Sequence, residues 1–120
     1  MMPIATVHAV WFSGTGTTEK TARRIASSLA AAFSAPLEAV DFTAPAVRKE
    51  ALTFGPDDLV VLGTPTYAGR VPNVLLPYLT GRVRGDGTPA VPVVLFGNRD
   101  FDDSLIELRN ILTANGFMPV

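Results

Sequence analysis

An α/β domain, doubly wound around a parallel sheet, is what this sequence predicts, and three observations carry the prediction. Apolar segments of strand length alternate with amphipathic segments of helix length. The strand segments include uninterrupted apolar runs, the pattern of strands covered on both faces. No hairpin signal joins any two of them, so antiparallel neighbours are not indicated.

The elements follow in order. The run IATVHAVWF, residues 4–12, reads as the first strand, and TARRIASSLAAAF, residues 21–33, as an alanine-rich amphipathic helix. PLEAVD, residues 36–41, can form a second short strand. Residues 42–58 hold prolines, a glycine and paired aspartates, which predicts a loop with one or two helical turns near Val47 to Leu52. LVVLGT, Leu59 to Thr64, is the central strand, and a helix is expected over roughly Asn73 to Leu79. Gly81 to Thr88 reads as a polar turn. AVPVVLFG, Ala90 to Gly97, is the fourth strand, in which Pro92 is expected to be tolerated only near the beginning. Leu105, Leu108, Ile111 and Leu112 form one apolar stripe on a helix from Leu105 to Ala114, which Asn115-Gly116 stops.

With 120 residues the chain has the length of one domain with a real core, residues 1–120. The 48% hydrophobic and 18% charged fractions place it with packed proteins rather than disordered ones. A net charge of −1 with scattered basic residues gives no nucleic-acid footprint. No apolar run has the length of a membrane span, and the first residues lack the basic start of a secretory signal, so a cytoplasmic location is expected. The absence of cysteine excludes disulfides and thiol chemistry.

Three loops hold the unusual residues, and all follow strands at the end where ligands bind in doubly wound sheets. The first is Ser13, Gly14, Thr15, Gly16, Thr17, Thr18. Its glycines permit a tight turn, its hydroxyls can donate, and the following helix N-terminus presents N–H groups and a positive dipole end, which suits a phosphate. The alternative is that Thr17 or Thr18 merely caps the helix. The loop is neither a Walker-type P-loop nor G-x-G-x-x-G, and Lys20 comes only after it, so neutral donors would hold the anion. In the second loop Pro65 rigidifies the strand exit, Tyr67 offers a flat ring, and Ala68-Gly69 supplies a peptide that turns at small steric cost. The alternative there is a packing tyrosine and an ordinary turn glycine. The third loop has Gly97 for close approach, Asn98 as donor and acceptor, and Phe101 as a second ring, while Asp102 or Asp103 can serve as a helix cap. His8 lies within the first strand, where a satisfied histidine is the simpler reading, and the acidic run Asp100, Asp102, Asp103 lacks a histidine or cysteine partner for a metal. No catalytic or metal-binding constellation is expected.

With S-G-T-G-T-T-E-K at the first loop and G-N-R-D-F-D-D at the third, the chain resembles the flavodoxin family, most closely its short flavodoxin-like domains. The resemblance covers essentially the whole chain and implies a sheet of order 2-1-3-4 with a partial fifth strand, helices on both faces, and non-covalently bound FMN. Carried over, Ser13 to Thr18 would hold the phosphate, and Thr64, Pro65, Thr66, Tyr67, Ala68 and Gly69 would flank the isoalloxazine. The Ala68-Gly69 carbonyl would accept a hydrogen bond from reduced flavin N5. Gly97, Asn98, Arg99, Phe101 and Asp102 would line the pyrimidine and ribityl side. Phe101 stands where family members carry tyrosine, and Thr17 where asparagine is frequent.

The resemblance further implies a low-potential one-electron carrier serving a redox partner protein, with Arg70 and Arg99 placed to soften the effect of an uncompensated phosphate. Two other functions share the topology: an FMN-dependent NAD(P)H:quinone-type oxidoreductase, and a cofactor-free assembly domain. A phosphoacceptor receiver does not fit, because the first strand ends V-W-F-S and the third G-T-P. Family members continue past Phe117-Met118-Pro119-Val120 with a full strand and a last helix. That helix would cover apolar sheet surface, so a homodimer, a second chain or a longer form of this protein is expected to cover it.

Overall fold

The computed structural model describes residues 4–13, 16–65, 71–95 and 101–120, and of residues 101–104 the backbone alone. Five parallel strands form the main sheet in the order β2-β1-β4-β6-β7: β1 Thr6–Trp11, β2 Leu37–Asp41, β4 Asp58–Pro65, β6 Thr88–Leu95 and β7 Phe117–Pro119. In terms of the five expected strands this is 2-1-3-4-5, with the last strand only three residues long. The helices are α1 Thr17–Phe33, α2 Leu76–Gly81 and α3 Phe101–Ala114.

Alternation along the buried strands divides the core in two. Val7, Ala9 and Trp11 of β1 join Leu59 and Val61 of β4 and Val93 of β6 beneath α1. On the opposite face Val10, Val60, Leu62 and Ala90 pack against Leu75, Tyr78 and Leu79 of the α2 region and Leu108 and Leu112 of α3. The sheet is thus covered by helices on both sides. The helix face against β1 and β4 consists of Ala22, Ala26 and Ala30, all buried and one helical turn apart. Small side chains bring α1 close, and Gly63 completes the fit. A Cβ at Gly63 would stand 3.0 Å from Thr18 Cγ2 and 3.3 Å from the Ala22 Cβ.

Three local expectations need correction. Residues 42–58 and 81–88 are not only loop and turn: Leu52–Thr53 (β3) and Val83–Arg84 (β5) pair in parallel as a second, two-stranded sheet. Two-residue strands show no periodicity, so their partners, not their own sequence, define them. The segment 73–81 begins as a 3-10 turn, Asn73–Leu75, before α2. Pro92 lies in the middle of β6, not near its start. The Val120 N–H bonds the Ala90 carbonyl, so residues 90 and 92 turn their polar groups to the β7 side. The last registered pair on that side is Ala90 with Pro119, so Pro92 belongs to no β6–β7 pair.

At the amino ends of the strands the polar groups are paired. His8 Nε2 lies 2.9 Å from Asp58 Oδ1, and Asp58 Oδ2 accepts the Gly55 N–H at 2.8 Å. The His8 ring also meets Phe54 edge-on at 4.8 Å. Asn115, buried behind α3, donates to the carbonyls of Leu79 and Val83. Gly116, with φ +94°, follows it, and a Cβ there would run into the Gly85 carbonyl. Beyond α1 on the same face, an apolar groove of about 500 Å³ lies between Leu29, Phe33, Leu59, Val91 and Met118. Met118 and Val120, on its rim, are 61% and 79% exposed. Among the described residues no helix is long and apolar enough to cross a membrane.

Two outcomes follow from this packing. Gly63→Val should destabilise the fold by about 1–3 kcal/mol, because the added methyls have no room under α1. A chemical denaturation midpoint measures it. Burial acts to raise the Asp58 pKa, but the Gly55 N–H and the His8 ring outweigh it and hold the carboxyl below its ordinary 3.8. A lowered folded value means the stabilisation is present above 3.8 and lost as pH falls through the lower value. Asp58→Ala should cost about 1–2 kcal/mol at neutral pH and flatten the acid branch of a stability-against-pH curve.

Candidate functional site

The site lies beyond the carboxyl ends of β1, β4 and β6, which are adjacent and in step. Trp11 is opposite Gly63, while Thr64 and Pro65 are opposite Val94 and Leu95. From β1 the chain moves outward to β2 on one side and to β4 on the other. The crevice of a doubly wound sheet opens at such a reversal, here between β1 and β4.

The Phe12 N–H still reaches the Gly63 carbonyl, at 3.1 Å, before the chain leaves the sheet. Ser13 Oγ then accepts the Gly16 N–H at 2.8 Å, closing a short turn. Gly16 sits at φ +88° immediately before α1, and the Lys20 N–H bonds its carbonyl. Thr17 and Thr18 are the first helical residues, so neither hydroxyl caps the helix from the preceding position. Thr18 is buried with its methyl toward Gly63. The first N–H groups of a helix have no carbonyl behind them within the helix and carry its positive dipole end.

Residues from the exit of β2, which the sequence reading passed over, support this turn. Thr43 Oγ1 accepts the Ser13 N–H at 2.9 Å and lies in short contact with Asp41 Oδ1, which also accepts the Thr43 N–H at 2.9 Å. Arg48 Nη1 donates to the carbonyls of Phe42 and Thr43 at 2.7 and 2.8 Å, and its guanidinium lies 5.7 Å from the Phe12 ring centre. Phe12, Phe42 and Tyr78 form a tilted aromatic row beneath. Burial pushes the Tyr78 hydroxyl's pKa up, with the nearby Arg48 charge opposing it. A signal for part of this was present: an aspartate two residues before a threonine is the pattern of an Asx turn.

Thr64 and Pro65 end β4. The Thr64 side chain is fully buried, and Oγ1 finds no hydrogen-bond partner among the described residues. Trp11 Nε1, at the end of β1, is in the same condition. Unpartnered buried polar atoms are rare in folded proteins and cost about 1–3 kcal/mol each, so both atoms call for a partner beyond the described residues. Gly14, Thr15, Thr66, Tyr67, Ala68, Gly69, Arg70, Gly97, Asn98 and Arg99 lie outside the described residues. Phe101 and Asp102 open α3, one turn earlier than the expected Leu105, and their side chains are likewise outside the description. Glu107, on the same helix, accepts the Val71 N–H at 2.9 Å and so ties α3 to the far end of the second loop.

The described loop residues are uncharged. Arg48 is committed to two carbonyls, and Arg23 pairs with Glu19 at 2.9 Å while covering the Trp11 ring. Among the described residues no group of three or more histidine, cysteine or acidic side chains could hold a metal ion. Fold and loop placement define an open, doubly wound α/β protein, consistent with a flavodoxin-like topology. No family model, curated protein or solved structure matches the chain.

Gly16→Ala should cost about 1–2 kcal/mol, the penalty of a side chain in the left-handed region. Nothing lies within 4 Å of the added Cβ, so the loss arises from backbone conformation alone. Thermal unfolding of the variant checks it.

Proposed function

We propose that the chain binds FMN at the β1/β4 crevice and works as a low-potential electron carrier for a redox partner protein. The observation that carries this reading is that β1, β4 and β6, the strands that the three singled-out loops follow, lie side by side, with the α1 N-terminus at the reversal of strand order. The Thr64 hydroxyl, which has no partner among the described residues, and the hydrogen bond from the Gly16 N–H to Ser13 Oγ suit a ligand with a phosphate tail and polar ring edges.

In this reading Ser13 donates its hydroxyl proton to the phosphate, since its oxygen already accepts from Gly16. The N-terminal end of α1 adds N–H donors and its positive dipole end. By resemblance, Gly14 and Thr15 complete the phosphate loop, while Thr64 to Gly69, with Gly97, Asn98, Arg99, Phe101 and Asp102, enclose the ring and ribityl chain. FMN, when bound, takes up and releases electrons one at a time. Neutral phosphate donors leave the tail's negative charge in place, which disfavours adding further charge nearby and lowers the potential.

Mixing purified protein with FMN and with riboflavin tests the proposal. Flavin fluorescence should be quenched, and FMN should bind at least about tenfold tighter than riboflavin, as a few charge-assisted hydrogen bonds require. No binding at roughly 1 mM FMN would leave the fold serving an assembly role instead. Rapid turnover of NAD(P)H with a quinone by the loaded protein would make it an oxidoreductase.

A further inference from the structure

The Ser13 turn does not stand alone. Its shape is set by a chain of hydrogen bonds that begins on the exit of β2. Arg48 fixes the peptides of Phe42 and Thr43 by binding both carbonyls, and Phe42 is fully buried beneath them. Asp41 Oδ1 takes the Thr43 N–H and lies against the Thr43 hydroxyl. A hydroxyl has one proton, and the carboxylate can only accept, so that proton goes to Asp41. The lone pairs of Thr43 Oγ1 are therefore left for the Ser13 N–H, at 2.9 Å. A Ser13 main chain held in this way places Oγ under the Gly16 N–H. The Thr64 hydroxyl, buried without a partner among the described residues, lies one residue past the Gly63 carbonyl that binds Phe12.

We infer that Asp41, Thr43 and Arg48 are positioning residues that hold Ser13 with its hydroxyl proton turned outward, and so set the preference for a phosphorylated over an unphosphorylated flavin. This rests on the FMN reading. The brace consumes the Ser13 N–H, so of the two donors on Ser13 only the hydroxyl is offered to ligand. It also explains why a carboxylate stands so near a proposed anion site: its charge is engaged by the Thr43 hydroxyl and N–H. Thr43 is only partly buried, and its loss removes no core contact.

The test has two arms. In the ligand-free protein, amide hydrogen exchange by NMR reads the brace directly. Thr43→Val should speed exchange at Ser13 and Gly16 by about tenfold or more, while Thr43→Ser should leave both protected. Unchanged exchange at Ser13 in Thr43→Val overturns the brace, whatever flavin does. In the second arm FMN and riboflavin are titrated into each variant. Thr43→Val should weaken FMN by about tenfold with riboflavin little changed, and Thr43→Ser should restore the ratio. Asp58→Ala, at the other end of the sheet, controls for stability and should keep the wild-type ratio. A wild-type protein that prefers FMN and a Thr43→Val variant with the same preference overturn the selectivity role alone. Wild-type protein that binds neither flavin overturns the site reading and the selectivity role together, and leaves the exchange result to stand by itself.

Discussion

The close approach of α1 to the sheet is the constraint on which the rest depends. An alanine face on the helix and a glycine in β4 let the two backbones come within the reach of a single methyl group. Larger side chains along Ala22, Ala26 and Ala30 would lift the helix away, because interiors are packed too densely to absorb the volume. Held low, α1 starts directly over the reversal between β1 and β4, and its first N–H groups face the crevice. The loop before it then has little length in which to turn, and the left-handed Gly16 supplies the turn.

The two ends of the sheet are treated differently. At the amino ends, His8, Asp58, Gly55, Thr88 and Asn115 are joined to one another or to backbone, and Gly116 is pressed against Gly85 so closely that no side chain fits. At the carboxyl ends, two buried polar atoms have no partner among the described residues, and an Asx turn spends its carboxylate on fixing a neighbouring loop. Satisfied groups hold a fold, whereas unsatisfied ones keep bonding capacity for something else. In the proposed reading, stability and recognition are separated along the strand direction.

In the proposed reading, the arrangement would hold an anion without a cation in the Ser13 loop. Helix N–H groups and a hydroxyl are directional and neutral, so they would hold an anion without cancelling its charge. Arg48 is close, but its donors go to backbone carbonyls, and its role is to set the path of residues 42 and 43. The phosphate's charge would then act on whatever is bound beside it, which is the electrostatic basis for a low potential.

The sequence by itself determined the strands, their parallel class and the two-faced burial, because long apolar runs such as LVVLGT and VPVVL have no other stable setting than between two helix layers. It also determined α1, through the spacing of its alanines, and the stop of α3 at Asn115-Gly116. Tertiary structure alone decided what depends on partners distant in the chain. The β3–β5 pair is two residues against two, joined across some thirty positions, with no periodicity to betray it. Pro92 stands in mid-strand outside the β6–β7 pairs, a matter of register and not of composition. The contact of the Thr18 methyl with Gly63, which helps fit α1 to the sheet, likewise depends on a partner distant in the chain. Thr43, thirty residues from Ser13, became part of the site only through the hydrogen bond between them.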